Sequence, residues 1–282
     1  MLSAALVVLD FETTGLNPRE GARGIEVGAV KLIDGEIVDR YSSLVNPGVS
    51  IPYQITQLTG ITDEMIADAP TPAEVYPDLL DFIGDAYLVA HNAHFDEKFL
   101  RAEADRLGLS YAYRDVICTV MLTRRLQPQL ASYSLAKLAK HLNLRFPGAA
   151  HRALSDAEVA AQLLIYCAQQ LQQSYGLNQI DPAWLYELNQ QTPARAAGFL
   201  RKKFLPQTLP KPVKGKPMAQ RYRHYKGGIY EVVCRALQEA DLTPVVVYKA
   251  SNGTVWTRPE SNFFETIIVD GKSVQRFTPI TD

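Results

Sequence analysis

An unbroken apolar run, Leu6 to Leu9, leads straight into Asp10-Phe11-Glu12, and few folds accept that sequence. A short continuous apolar run bounded by turn residues reads as a strand buried on both faces, as in the sheet of an α/β protein. Side chains alternate along a strand, so Asp10 and Glu12 share one face. They stand at its C-terminal end, where α/β sheets tend to carry their active sites. A D-x-E pair also arises by chance in many proteins, so its meaning depends on what accompanies it.

The following residues alternate strand-like and helix-like patterns. Ile25–Asp34 and Glu36–Val45 read as strands joined at Asp34-Gly35, a hairpin signal. Thr62 ahead of Asp63 and Glu64 predicts a helix N-terminus. Thr71–Ile83 is expected to be helical, with Pro72 at a permitted first-turn position. Tyr87–His91 predicts a strand, Phe95–Leu107 a helix, Val116–Thr119 a short strand, and Met121–Leu126 and Ser134–Leu142 two helices. Ser155-x-x-Glu158 matches a capping box and predicts that a last helix opens there, running to about Gln173. The order points to an α/β domain with a mixed sheet.

Charge divides the chain. Residues 1–187 hold 14 Lys/Arg and 23 Asp/Glu, residues 188–230 hold 10 and none, and residues 231–282 hold 5 and 7. Pro193, Pro206, Pro210, Pro212 and Pro217 fall among these cations, so residues 192–220 read as an extended, solvated tether. Beyond it, Tyr230–Val233, Pro244–Tyr248, Thr254–Trp256, Phe263–Val269 and Val274–Phe277 are short strand candidates, with Asn252-Gly253 and Asp270-Gly271 as hairpin turns. The expected organisation is a catalytic domain at 1–175, a basic Pro/Lys-rich linker at 176–220 and a small, mostly antiparallel β domain at 221–282. Cys118, Cys167 and Cys234 form no C-x-x-C pair, which argues against structural zinc and fits a reducing cytoplasm. No stretch approaches the roughly 18 apolar residues of a membrane helix, so no membrane partner is expected.

Three further residues join the acid pair. Asp96 follows the strand at Tyr87–His91 and falls in the first turn of the next helix, a position that also suits an acid complementing the helix dipole. His151 and Asp156 are five apart. On one continuous helix they would diverge by about 140°. They converge only if His151 lies on the loop before the helix, after Pro147-Gly148, and Asp156 lies in its first turns.

In this order the residues resemble the DEDDh, DnaQ-like 3′–5′ exonucleases. Leu9-Asp10-Phe11-Glu12-Thr13-Thr14-Gly15-Leu16 is similar to the family's first motif and Ile25-Glu26-Val27-Gly28-Ala29-Val30 to its second strand. Leu58-Thr59-Gly60-Ile61-Thr62 resembles its substrate-side segment, and Val89-Ala90-His91-Asn92-Ala93-His94-Phe95-Asp96 its second motif. His151-Arg152-Ala153-Leu154-Ser155-Asp156-Ala157 resembles its third. Ile117–Leu126 and the short loop to His151 look most like the exonuclease X group, which acts on DNA. The resemblance covers roughly residues 5–172.

It implies a ribonuclease H-like fold and phosphodiester hydrolysis with two divalent ions, Mg²⁺ with Mn²⁺ able to substitute. Asp10 is expected to bridge both ions, Glu12 and Asp156 to ligate the ion that binds the attacking water, and Asp96 to reach the second. His151 is expected to be the general base, since histidine's ordinary pKa, about 6.5, suits that task near neutral pH. The resemblance also points to Thr13, Thr14, Leu16, Asn92 and Phe95 around the terminal nucleotide. Phe95 has a second reading, helix–sheet core packing.

The expected partner is DNA with a 3′ end, in repair or replication. An RNA-trimming exonuclease with the same site and a non-catalytic nucleic-acid adaptor are the alternatives. The cations Arg201-Lys202-Lys203, Lys211, Lys214 and Lys216 read either as phosphate contacts or as a merely soluble tether. The last domain, with Arg221-Tyr222-Arg223-His224-Tyr225-Lys226, Trp256 and Phe263-Phe264, resembles a small bacterial family of unknown function. Its aromatics are core or ligand platform.

Overall fold

The computed structural model describes residues 2–148, 151–204, 221–238, 243–269 and 271–280. The chain forms two compact units, Met1–Leu205 and Pro206–Asp282.

The first unit begins with β1 (Leu6–Thr13), β2 (Gly24–Ile33) and β3 (Glu36–Leu44), an antiparallel meander. Asp34 and Gly35 join β2 to β3 with φ of 54° and 82°, the left-handed pair of a tight two-residue hairpin. Helices α1 (Tyr53–Thr59), α2 (Asp63–Ile66) and α3 (Pro72–Ile83) follow. The Thr62 hydroxyl caps α2 by accepting from the Met65 N–H. The chain continues through β4 (Tyr87–Ala90), α4 (Ala93–Leu107), β5 (Val116–Cys118), α5 (Thr119–Leu126), α6 (Leu135–Leu142) and α7 (Ala153–Tyr175). Strands β4 and β5 add in parallel beside β1, giving the order β3-β2-β1-β4-β5. This is the mixed, helix-flanked sheet expected of a ribonuclease H-like fold.

Strand β1 is central and covered on both faces. Leu6 and Val8 join a core with α5, α6 and α7, while Val7, Leu9 and Phe11 join a second core with α3 and α4. Leu6, Val7, Val8 and Leu9 are wholly buried, and burying such a side chain stabilises by about 1.5–3 kcal/mol. That anchors the strand whose far end carries Asp10 and Glu12.

Two further helices, α8 (Pro182–Asn189) and α9 (Pro193–Phe204), stand where a linker at 176–220, extended from residue 192, was expected. Both prolines sit at helix starts, where the missing N–H costs nothing. Leu185 and Leu188 of α8 and Ala196 and Leu200 of α9 are buried in the α7-side core. Phe204 packs its ring on Tyr175 and Trp184. The spacing Ala196, Leu200, Phe204 is one helical stripe, and it outweighs the cationic composition. Arg201, Lys202 and Lys203 occupy the last turn of α9, where cations favour the helix dipole, and Lys203 pairs with Glu187. Lys211, Lys214 and Lys216, with the prolines from 206 to 217, lie outside the described residues. Among the described residues no helix is long and apolar enough to cross a membrane.

The second unit contains β6 (Arg221–His224), β7 (Ile229–Leu237), β8 (Pro244–Ala250), β9 (Val255–Pro259), α10 (Glu260–Phe263), β10 (Thr266–Val269), β11 (Lys272–Gln275) and β12 (Phe277–Ile280). An antiparallel sheet of order β12-β6-β7-β8-β9 stands beside the β10–β11 hairpin. The Phe263–Val269 segment read as one strand is split. Phe263 ends α10 and is fully buried, stacked on Phe277 at 4.1 Å between ring centroids. Tyr222, Tyr248, Phe263 and Phe277 form the core, whereas Trp256 remains 55% exposed. The basic-aromatic stretch at Arg221–His224 is itself a strand, β6.

Candidate active site

Asp10 and Glu12 continue the line of Leu6 and Val8, so both point to the α7 side of the sheet. Across the β1–β2 ladder, Asp10 pairs with Gly28 and Glu12 with Glu26. Gly28 has no alternative residue: a Cβ there would lie 2.1 Å from the backbone nitrogen of Leu154. The first turn of α7 therefore rests directly on β2, beside Asp10.

Helix α7 starts earlier than the capping-box match predicts. Its N-cap is Arg152 and its first residue Ala153, which puts Ser155 inside the helix with a buried, unpartnered hydroxyl. Glu158, the other half of that match, pairs with Arg40 of β3. The cause is Glu26. Its carboxylate accepts from the Ala153 N–H at 3.0 Å and from Arg152 Nε and Nη2, with Nη2 at 2.7 Å. A carboxylate supplied from β2 thus satisfies a free helix donor and complements the dipole.

This start leaves His151 off the helix, in a left-handed conformation with φ 60°. Its backbone N–H donates to Asp156 Oδ2 at 3.3 Å, so the five-residue spacing does not part the two side chains. One ligand atom from each of Glu12, His151 and Asp156 lies within 4.8 Å of the others. Asp96 arrives from the opposite side, in the first turn of α4. Its Oδ1 accepts from the Phe11 N–H at 3.2 Å, which ties that helix to β1 between the two acids. Asn92 makes the turn into α4 with φ 71° and ψ 48° and is exposed.

The carboxyl groups disfavour ionisation together. Asp10 is held well above the usual range by burial and then by Asp96, Glu12, Asp156 and Glu26. Glu12 is pushed up to about 7 by burial, then Asp156 and Glu26, with Arg152 opposing. Asp96 is raised by burial against the hydrogen bond from Phe11. Asp156 is raised by burial, with His151 and its N–H opposing. Clustered acids of this kind are stabilised by cations. Asp156 Oδ1 is moreover buried without a hydrogen-bond partner, a free oxygen in a set of hard donors with no thiol. Such a set fits Mg²⁺ or Mn²⁺.

The five residues expected to provide substrate contacts divide. The Thr13 hydroxyl donates to Gly15 O, and Thr14 Oγ1 accepts from the Arg23 N–H, so both shape the loop. Leu16 is 79% exposed at its tip. Phe95 is partly buried against Phe99, at 5.0 Å between centroids. Lys98 Nζ donates to Leu16 O at 2.6 Å and lies 5.0 Å from the Phe95 ring, which brings these two residues together. Glu26, Gly28 and Arg152 escaped the sequence reading as positioning groups. For Glu26 and Gly28 the signal was an acid and a glycine inside the otherwise apolar strand Ile25–Val30.

The chain is similar to known proteins in sequence and in fold. A family model described as "Exonuclease" matches residues 7–164, and one described as "Protein of unknown function (DUF1653)" matches 220–279. DNA polymerase III PolC-type of Clostridium perfringens (strain 13 / Type A) is 41% identical over 174 residues, 62% of this chain. The chain spans only 12% of that relative's length. DNA polymerase III subunit epsilon of Aquifex aeolicus (strain VF5) is 36% identical over 177 residues, 63% of this chain and 87% of the relative. The solved structure of exonuclease X in complex with 5′ overhanging duplex DNA aligns at 32% identity and a TM-score of 0.52, covering 65% of this chain and 99% of that one. With the first motif, the mixed sheet and the acid-lined site all within the matched residues, the chain belongs to the DnaQ-like 3′–5′ exonuclease family.

Proposed function

We propose that the chain is a metal-dependent 3′–5′ exonuclease of DNA, acting in repair or replication. The observation that carries this reading is the crowding of Asp10, Glu12, Asp96 and Asp156, with one Asp156 oxygen buried and unpartnered. These four carboxylates would hold two divalent ions, Mg²⁺ first and Mn²⁺ as substitute. When bound, such a pair activates water and stabilises the leaving oxygen of a phosphodiester. His151 takes the proton from the attacking water as general base, and its exposed loop position lets it pass that proton to solvent. Glu26 and Arg152 hold the start of α7 so that His151 and Asp156 face Glu12. Leu16 and Phe95 present apolar surface to the terminal base, and Asn92 borders it.

DNA is favoured over RNA because the relatives at 41% and 36% identity are named as DNA polymerase III proteins and the exonuclease X complex holds DNA. The test is release of mononucleotides from 3′-labelled DNA and RNA, single- and double-stranded, in Mg²⁺ or EDTA. Release from DNA that EDTA abolishes is the expected result. Faster release from RNA would reassign the substrate, and no metal-dependent release from any of them would make the chain a non-catalytic adaptor.

A further inference from the structure

The loop from Thr14 to Arg23 leaves β1 directly after the acids and returns to open β2. Its shape is set from α4, the helix that also carries Asp96. Lys98 holds the carbonyl of Leu16, and Arg106 Nη2 donates to the carbonyl of Pro18 at 2.7 Å. At the returning end, Arg23 binds Glu103 through Nε and through Nη2 at 2.9 Å, and reaches Pro47 O with Nη1. Arg106 Nη1 binds the same carboxylate at 2.7 Å. Glu103 is only 1% exposed, whereas the Arg23 and Arg106 side chains keep 21% and 38% of their surface.

A buried acid between two arginines is a poor way to gain stability, because desolvation cancels much of the attraction. It is a good way to select one geometry, since bidentate guanidinium–carboxylate pairing tolerates little displacement. What it selects here is the path of a loop whose tip, Leu16, is 79% exposed. We infer that Glu103 is a positioning residue: it clamps the middle and the returning end of the Thr14–Arg23 loop to α4, holding Leu16 in register with the acids so that the loop engages the 3′-terminal nucleotide. The inference rests on the exonuclease reading for its substrate. Glu103 is buried and acts through Arg23 and Arg106.

The test uses the full chain with Glu103→Gln and Glu103→Asp. Two substrates are compared in Mg²⁺: a single-stranded DNA oligonucleotide and bis(p-nitrophenyl) phosphate, which has no base for the loop to engage. Glu103→Gln is expected to raise KM for the oligonucleotide by about ten- to hundred-fold. It should leave kcat, and hydrolysis of the small ester, within about two-fold. Glu103→Asp, which keeps the charge, should recover part of the KM. Amide hydrogen exchange across residues 14–23 should quicken in the Gln variant. Equal losses on both substrates, or an unchanged KM, would overturn the proposal. If Glu103→Gln does not fold, Arg106→Gln removes the Pro18 brace from the more exposed side and is read by the same split. Should the wild-type chain release no nucleotide, the exonuclease reading falls. The exchange comparison then still decides the clamp: faster exchange supports it and unchanged exchange overturns it.

Discussion

The described residues form two five-stranded sheets with different interiors. In the first unit the sheet is apolar on both faces of β1, and the unit's buried residues include Glu12, Glu26, Asp96 and Glu103. In the second, the buried side chains of sheet and helix are Tyr222, Val232, Val245, Val246, Tyr248, Phe263 and Phe277, and no acid is among the described buried residues. A doubly covered sheet has stability enough to hold charges that repel one another. A small unit needs its bulky aromatic side chains for burial alone. Buried charge that weakens a fold therefore calls for a functional account, whereas the aromatic cluster of the second unit is accounted for by packing.

Four experiments sharpen or break this contrast. Asp10→Asn should lower DNA hydrolysis by about a thousand-fold or more, since several kcal/mol of transition-state stabilisation pass through the metal site. Steady-state rates check this, and a loss under ten-fold would break the contrast. His151→Ala should cost about 10²- to 10⁴-fold in kcat while leaving Mn²⁺ and DNA affinity intact. Near wild-type turnover would remove it as the base. Phe263→Ala should destabilise the second unit by about 3–5 kcal/mol in urea melts and leave nucleotide release within about two-fold. A large loss of activity would show that those aromatics do more than pack.

The fourth concerns pH. Glu12 is pushed up to about 7 from the 4.5 of an unperturbed carboxyl. Between those values the folded state keeps a proton that the unfolded chain has released. Stability of the metal-free protein must therefore fall as pH rises through that window, by up to about 3 kcal/mol. Asp10, Asp96 and Asp156, also raised, act in the same direction. Thermal melts in EDTA should give a lower Tm at pH 8 than at pH 5, and Mg²⁺ should recover more at pH 8. A metal-free protein more stable at pH 8 would contradict the crowding of the site.

Much of this was legible in the residues. The shared face of Asp10 and Glu12 follows from strand periodicity, and the hairpin at Asp34-Gly35 from its turn chemistry. The five-residue spacing lets His151 and Asp156 converge only with His151 off the helix, and His151 does lie off it. The start of α7 was not legible, because the group that caps it, Glu26, lies 127 residues away on β2. The missing local signal was replaced by a long-range one. Helices α8 and α9 were hidden by composition: prolines and cations suggested a tether, while the stripe Ala196, Leu200, Phe204 recorded a buried face. The Glu103 clamp was likewise invisible, since Arg23 and Glu103 meet only once α4 lies beside the loop.

Proton release on metal binding tests the central claim, that the acids at the end of β1 are crowded to receive divalent cations. Mn²⁺ can be titrated calorimetrically into the full chain at pH 6.5 in two buffers of different ionisation enthalpy. Carboxyls raised as these are should lose about one proton or more per chain as Mn²⁺ binds, and Asp10→Asn should weaken both binding and release. Absence of Mn²⁺ binding, or binding with no proton released, would contradict the account.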